Sequence, residues 1–425
     1  MDNVRRLIQD VQIPRFVRAK QNFPRPSILP ENISAHVQKL LSQEKFSGLI
    51  RPNMRICITA GSRGIANIAT ITKAIVDYCK NQGARPFLIP AMGSHGGATA
   101  EGQREILRSL GITEDTMGCP IEATMETVTI GKTTLGHDVR VDRYAAQADA
   151  IIVSCRIKPH TSFRGPYESG IMKMMTIGMG KQEGASVCHE AGMQYMPEYI
   201  PMFGRVIRDN TPVIMAVASI DNPYDETAQI DALLPSEFDA SEPELLKTAF
   251  SLMPRIHFDF CDLLVVDEIG KNISGDGMDP NVSGTFCTPH ANGGICAQRV
   301  CVLSLTEETH GNGQGIGLAS AITRRVYDAL DLDKSYPTAI TATILSTVYI
   351  PPIVDSDKLA MQICLKTCNQ IDKENPRIIR IKNTLHLEEI MISEALIKEA
   401  KNNEHIELID KEPFELPFDV QGNLL

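Results

Sequence analysis

The sequence contains no Trp, and aromatic residues make up only 5% of it. A surface that stacks nucleic-acid bases needs aromatic faces, so such a surface is not expected. Basic residues are also short: 42 Lys plus Arg stand against 52 acids, a formal net charge of -10. Polyanions are held by excess positive charge, so neither nucleic acid nor an anionic membrane is an expected partner. No apolar run reaches the roughly 18 residues of a membrane span. The nearest candidate, around residues 340–354, is broken by Thr, Ser and Pro351-Pro352. The opening segment has neither an apolar h-region nor a small-residue cleavage site. The 11 Cys are scattered singly, without a C-x-x-C pair, which reads as reduced core thiols and a cytoplasmic protein. Cys364 and Cys368, one helical turn apart, read as a half-buried helix face, because no His or second Cys pair accompanies them. Walker, G-x-G-x-x-G, H-E-x-x-H, G-x-S-x-G and kinase signatures are all missing.

What is present is regularly patterned. At roughly 150 residues per domain, 425 residues suggest two or three domains with ample core. Residues 55–59 (RICIT) are an apolar run ending in Ala60-Gly61-Ser62-Arg63-Gly64, a strand followed by a turn. Ile68, Ile71, Ala74, Ile75, Tyr78 and Cys79 recur at helical spacing, and Gly83 supplies a stop. A strand over 86–89 precedes the loop Gly93-Ser94-His95-Gly96-Gly97, and Thr99 can cap the next helix, to about Leu110. Residues 150–155 (AIIVSC) read as a buried strand, followed by Lys158-Pro159-His160. Alternation at this pace predicts a Rossmann-like parallel α/β sheet with helices on both faces. Residues 212–220 read as another strand and 221–244 as a connecting surface segment. A second set follows, with strands at 261–266 and 300–305, a helix at 316–330 and an amphipathic helix at 387–401. The expected division is a catalytic and cofactor domain over 1–255 and a smaller α/β domain over 256–425, whose tail could pack back on the first.

In open α/β sheets, ligands sit outside the carboxyl ends of the strands. Three polar, Gly-rich loops fall there, carrying Ser62 and Arg63, His95, and His160. Arg63 offers a planar fork for a carboxylate or phosphate, and the two His offer proton transfer near neutral pH. Each alone reads more readily as a turn residue or a satisfied loop His; three at adjacent strand ends reverse that preference and favour a site. The stretch from Gly165 to Gly180 is Gly-bounded and Met-rich, with Gly170 and Lys173 inside it. Desolvation would lower the Lys173 pKa and make it a nucleophile or covalent anchor; otherwise it is a Lys reaching out of a core helix. His189, after Cys188, reads as a metal ligand or as a plain helix residue. Gly311-Asn312-Gly313-Gln314-Gly315-Ile316-Gly317 could cradle an anion.

The ordered set Ser62-Arg63, Gly93-Ser94-His95, Lys158-Pro159-His160, Gly170-x-x-Lys173 and His189 resembles the lactate racemase family, nickel-pincer-dependent 2-hydroxyacid racemases and epimerases. The resemblance covers most of residues 50–195, with a few extra residues between His160 and Lys173 and a looser likeness beyond. It implies that Lys173 carries a nickel-pincer nucleotide as a covalent thioamide and that His189 ligates its nickel. It implies that His95 and His160 are the acid–base pair, with Arg63, Ser62 and Gly170 near the cofactor or substrate anion. Cofactor-synthesis enzymes would be partners, and a homo-oligomer stays open. Ala60 stands where the family's racemases commonly have an acid, and the second-domain motif differs around Asp279-Pro280-Asn281-Val282-Ser283. These departures, with Ser162, Glu168, Ser283, His310 and Asn312 nearby in pattern, point to a longer polar or sugar acid over lactate. The competing readings are a nicotinamide-dependent 2-hydroxyacid dehydrogenase and a non-catalytic small-molecule-binding relative.

Overall fold

A computed structural model describes residues 2–62 and 65–425. Arg63 therefore lies outside the described residues. The fold is α/β, and the chain forms two compact units. One consists of residues 25–253 with 340–343; the other takes the chain up to Pro24, then 254–339 and 344–425.

The first unit is built on a five-stranded sheet. Its strands are β1 (Arg55–Ala60), β2 (Arg85–Pro90), β3 (Ala150–Arg156), β4 (Val213–Asp221) and β5 (Thr227–Leu233), in the order β2-β1-β3-β4-β5. The first four positions are parallel, and β5 closes the edge antiparallel to β4. Pleating sends Ile56, Ile58 and Ile152 to one face, where they meet Ile33, Val37, Ile71 and Ile75. Those partners lie on α1 (Pro30–Leu41) and α2 (Ile68–Asn81). Each such fully buried aliphatic side chain contributes about 1.5–3 kcal/mol. Gly83, with φ +76, turns the chain out of α2 and into β2. Thr99 caps α3 (Ala100–Ser109) by accepting the Gly102 N–H at 3.1 Å.

Three expectations are corrected in the element assignments. Residues 221–244 are not a connecting segment: Thr-Ala-Gln-Ile-Asp-Ala-Leu alternates and forms β5, with Ile230 buried. Residues 316–330 are not one helix. A single 3-10 turn at Ile316–Leu318 gives way to the strand Ala321–Thr323, which pairs Ile322 with Val302. Thr323 then caps the short helix Arg324–Asp328. In 387–401, Glu389–Ser393 is a strand that buries Ile390 and Ile392, and only Ile397–Lys401 is α-helical.

The second unit holds an eight-stranded mixed sheet. Phe260–Ile269 lies inside it, parallel to Cys296–Leu305 on one side and to Ile378–Ile381 on the other. Phe16–Gln21 pairs antiparallel with Glu389–Ser393 and Ile406–Leu408. The first 24 residues thus belong with this unit and not with the 1–255 domain, because Val17 and Ala19 fill its core. The C-terminal segment is also here, Phe414 exchanging backbone hydrogen bonds with Phe16. The Gly311–317 loop is packed, not cradle-like. The N–H groups of residues 313 to 316 are donated to Ser335 Oγ, Asn312 Oδ1, Thr347 O and Gly313 O. An anion would have to displace them. No helix among the described residues is long and apolar enough to cross a membrane.

His257 in this unit stacks on His405, ring centroids 4.6 Å apart, and on Phe23 at 5.1 Å. Burial, with His405 and Arg255 nearby, holds its pKa down to about 4. Its folded value lies below that of the unfolded chain, so its contribution is intact above about 6.5 and is lost as pH falls toward 4. His257→Phe keeps the stack and removes the titration. The variant should lose less stability than the parent between pH 7 and pH 5 in denaturant melts; equal losses would contradict this assignment.

Candidate active site

Parallel pairing brings three loops to one edge. Ala60 lies opposite Pro90, and Ile58 opposite Ile152, so β1 and β2 end together and β3 runs about two residues further in the same direction. From these ends leave Gly61-Ser62, the loop with His95, and the loop with His160. Ser62 and both histidines are half-buried. A crevice at this edge is lined by Thr59, Ala60, Gly61, Ser154, Cys155 and Ser219, among others.

Residues 158–169 form a loop closed by paired Lys158 and Ser169 backbones. Buried Glu168 organises it, accepting the His160 N–H at 2.6 Å and the Gly165 N–H at 3.1 Å, with Arg164 Nη1 at 3.4 Å. Burial pushes the Glu168 carboxyl up, opposed by the His160 amide, Arg164, the Gly165 amide and Lys173. His160 packs on Phe163 at 4.3 Å, and its Nδ1 accepts the Ser162 N–H at 3.1 Å. In the neutral ring that leaves the proton on Nε2.

Next comes a helical run that changes pitch: an α-turn at Ile171–Lys173, a π-helical stretch at Met174–Met179, and α4 (Lys181–His189). π-turns are rare and frequent at functional sites. Met172, Met175 and Met179 are buried, whereas Lys173 is half-buried with Nζ 3.5 Å from Ser169 Oγ. Gly170 is required by packing. A Cβ there would overlap the carboxylate of Glu242, on α6 (Phe238–Ser251; α5 is Met196–Asn210). Glu242 accepts the Met172 N–H at 3.1 Å and caps the turn bearing Lys173. Gly178 similarly admits Ala91 O, and Gly93 N donates to Gly178 O at 3.3 Å. The His95 loop is thereby stitched to the Lys173 segment.

His189 ends α4 and is buried, its Nδ1 without a hydrogen-bond partner. Burial first, and the Lys173 charge second, hold its pKa down to about 4, so the ring is neutral at physiological pH. The Ala185 carbonyl beside the ring works in the opposite direction, and a neutral imidazole is the form that ligates metal. No group of three or more His, Cys, Asp or Glu side chains with metal-site geometry occurs among the described residues.

The structure thus ties Lys173, His189, the His160 loop and the His95 loop into one region. Sequence reasoning did not single out Glu242, Lys181, Asp142 or Gln103. A lone acid in a predicted surface segment and a Lys after Gly180 give no local signal of burial.

Glu242 supplies a check on this construction. Burial outweighs the Met172 and Ile171 amides and pushes its carboxyl up to about 8. The native state therefore keeps a proton that the unfolded chain releases above about 4.5, and stability falls as pH rises from there toward 8. Glu242→Gln should melt higher than the parent at pH 8, by roughly several degrees, with the gap closing at pH 5. A gap that is constant with pH would contradict a protonated Glu242.

Residues 3–198 match the family model described as the lactate racemase N-terminal domain. No curated protein matches. The lactate racemase apoprotein from Thermoanaerobacterium thermosaccharolyticum is similar in structure, with a TM-score of 0.51 at 12% identity, over 87% of this chain and 98% of that one. A structural-genomics protein from Thermotoga maritima gives 0.48 at 14% identity, over 66% and 72%. At 12% identity the likeness to the racemase apoprotein is one of fold.

Proposed function

Starting from residues 3–198 as a lactate racemase N-terminal domain, we propose that the protein interconverts the C2 configurations of a 2-hydroxy acid. Lys173 would hold a nickel-pincer nucleotide covalently, and His189 would complete the nickel coordination. The observation that carries this reading is the pairing of a half-buried Lys173 with a buried, neutral His189 close enough for the Lys173 charge to act on it. These residues fit the group: an amine beside a Gly-bounded helix start, and an imidazole ready to donate a lone pair. When bound, the cofactor supplies a reversible acceptor for the C2 hydrogen with its electron pair.

The chain's own residues do the rest. Arg63 is assigned to the substrate or cofactor anion, and Ser62 and Gly170 to the cofactor's surroundings. His95 and His160 handle the hydroxyl proton as the carbonyl of a planar 2-keto acid forms and is reduced again. Two histidines are needed because each enantiomer directs its hydroxyl differently. With the Ser162 amide on Nδ1, His160 presents an N–H, so His95 takes the proton in the first direction. For the other enantiomer the Ser162 amide must leave Nδ1 before His160 can act as base. Loop 158–169, fixed by Glu168, is the element that would adjust. Ala60 in place of an acid favours a longer polar or sugar acid over lactate, whereas Ser162 and Glu168 are buried within their own loop and carry no such preference. The pincer-synthesis enzymes would be partners in the cell.

The test uses protein made together with those enzymes, on enantiopure lactate, malate, glycerate and gluconate in deuterated water. Inversion at C2 should proceed without deuterium entering C2. His95→Ala and His160→Ala should each slow both directions by about 10²–10⁴-fold. Deuterium at C2 would show proton abstraction from carbon and overturn the hydride reading. Near-parental rates in both folded variants would remove the acid–base assignment.

A further inference from the structure

The His95 loop and the His189 helix share a buried connector. Lys181, the first residue of α4, is wholly buried and sits at φ +56, a conformation L-residues seldom adopt. Its Nζ lies 3.0 Å from Asp142 Oδ2 and 3.2 Å from Gln103 Oε1, and it donates to Pro90 O at the end of β2. Pro90 O and Gln103 Oε1 take two of the ammonium's protons, and Asp142 Oδ2 faces its charge as an ion pair.

The consequence passes to Gln103, on α3 and itself wholly buried. Because Lys181 occupies its carbonyl oxygen, its amide nitrogen faces the other way. Nε2 donates to Gly93 O at 2.9 Å and to His95 O at 3.3 Å. Asp142, also wholly buried, uses its other oxygen to accept the Tyr144 and Ala145 N–H groups at 2.8 and 3.2 Å. One cation therefore joins the end of β2, the backbone of the His95 loop, α3, and the turn after the strand Asp138–Asp142. It also starts the helix that ends at His189.

Apolar residues of similar volume hold many buried positions at least as stably as an ion pair. They could not orient Gln103 or satisfy Pro90 O, so the pair is explained better by placement than by stability. We propose that Lys181 is a positioning residue: through Gln103 it fixes the backbone that carries His95, and through its own helix it sets that backbone against His189. The inference rests on the reading of His95 and His189 as working groups.

Gln103→Leu is the mild probe and Lys181→Met the severe one, both in protein made with the cofactor-synthesis enzymes. In Gln103→Leu, amide hydrogen exchange across residues 94–98 should rise about tenfold while β1 stays protected. The kcat on whichever acid of the panel turns over fastest should fall about 10–100-fold, with KM within about threefold and nickel content unchanged. Combined with His95→Ala, the same change should cost less than about twofold more, since the group it positions is gone. Unchanged loop exchange in Gln103→Leu, or an equal rate loss in both backgrounds, would overturn the proposal; so would a folded Lys181→Met with parental kcat. If His95→Ala alone leaves the rate untouched while loop exchange rises, the functional reading fails and the loop-fixing role stands.

Discussion

Parallel pairing of the strand Arg55–Ala60 with both of its neighbours is the constraint on which the candidate site depends. Register fixes where the strands end, and the three loops leave from where they end. Ser62, His95 and His160 are far apart in sequence and share one edge because β1, β2 and β3 run parallel and their carboxyl ends lie on the same side, Ala60 opposite Pro90 and β3 about two residues longer. A slip in the pairing of Ile58 with Ile152 would carry the His160 loop away from the His95 loop, and pleating would resist it by moving buried isoleucines to the wrong face.

On this edge, polar groups are placed by buried carboxyl groups and a buried ammonium lying under backbone. Glu168 gathers the amides of His160 and Gly165, Glu242 caps the turn of Lys173, and Lys181 with Asp142 sits behind the His95 loop. Each costs desolvation, and each is offset by hydrogen bonds that would otherwise be unmade. The glycines follow from the same packing: Gly170 makes room for Glu242, and Gly178 for Ala91 O. A Gly-rich stretch here marks close approach of protein to protein, before any ligand is considered.

Much of this was legible in sequence where one local rule applied. Residues 55–59 and 150–155 are continuous apolar runs, Thr99 is a cap at the right spacing, and Gly83 a turn; all formed as patterned. The α/β class and the strand-end loops followed from them. Failures came where tertiary context decided. The strand Thr227–Leu233 was hidden by its acidic surroundings, and Ala321–Thr323 and Glu389–Ser393 sit in stretches of mixed apolar residues where helix and strand patterns overlap. The first 24 residues join the second unit through pairing with strands more than 360 positions later, a contact no local pattern contains. Lys173 and His189 were visible as motif residues, whereas the electrostatic proximity of the two, and the burial that keeps His189 neutral, are properties of the folded chain.

The central claim is that Lys173 is a covalent anchor and His189 only a ligand. Peptide mass mapping of denatured protein, made together with the cofactor-synthesis enzymes, tests it most directly, because a thioamide survives unfolding whereas a bond from imidazole to metal is lost with its geometry. Added mass on the peptide containing Lys173, retained in His189→Ala and missing in Lys173→Ala, is the expected result. An unmodified Lys173 in protein that inverts a 2-hydroxy acid would contradict the claim.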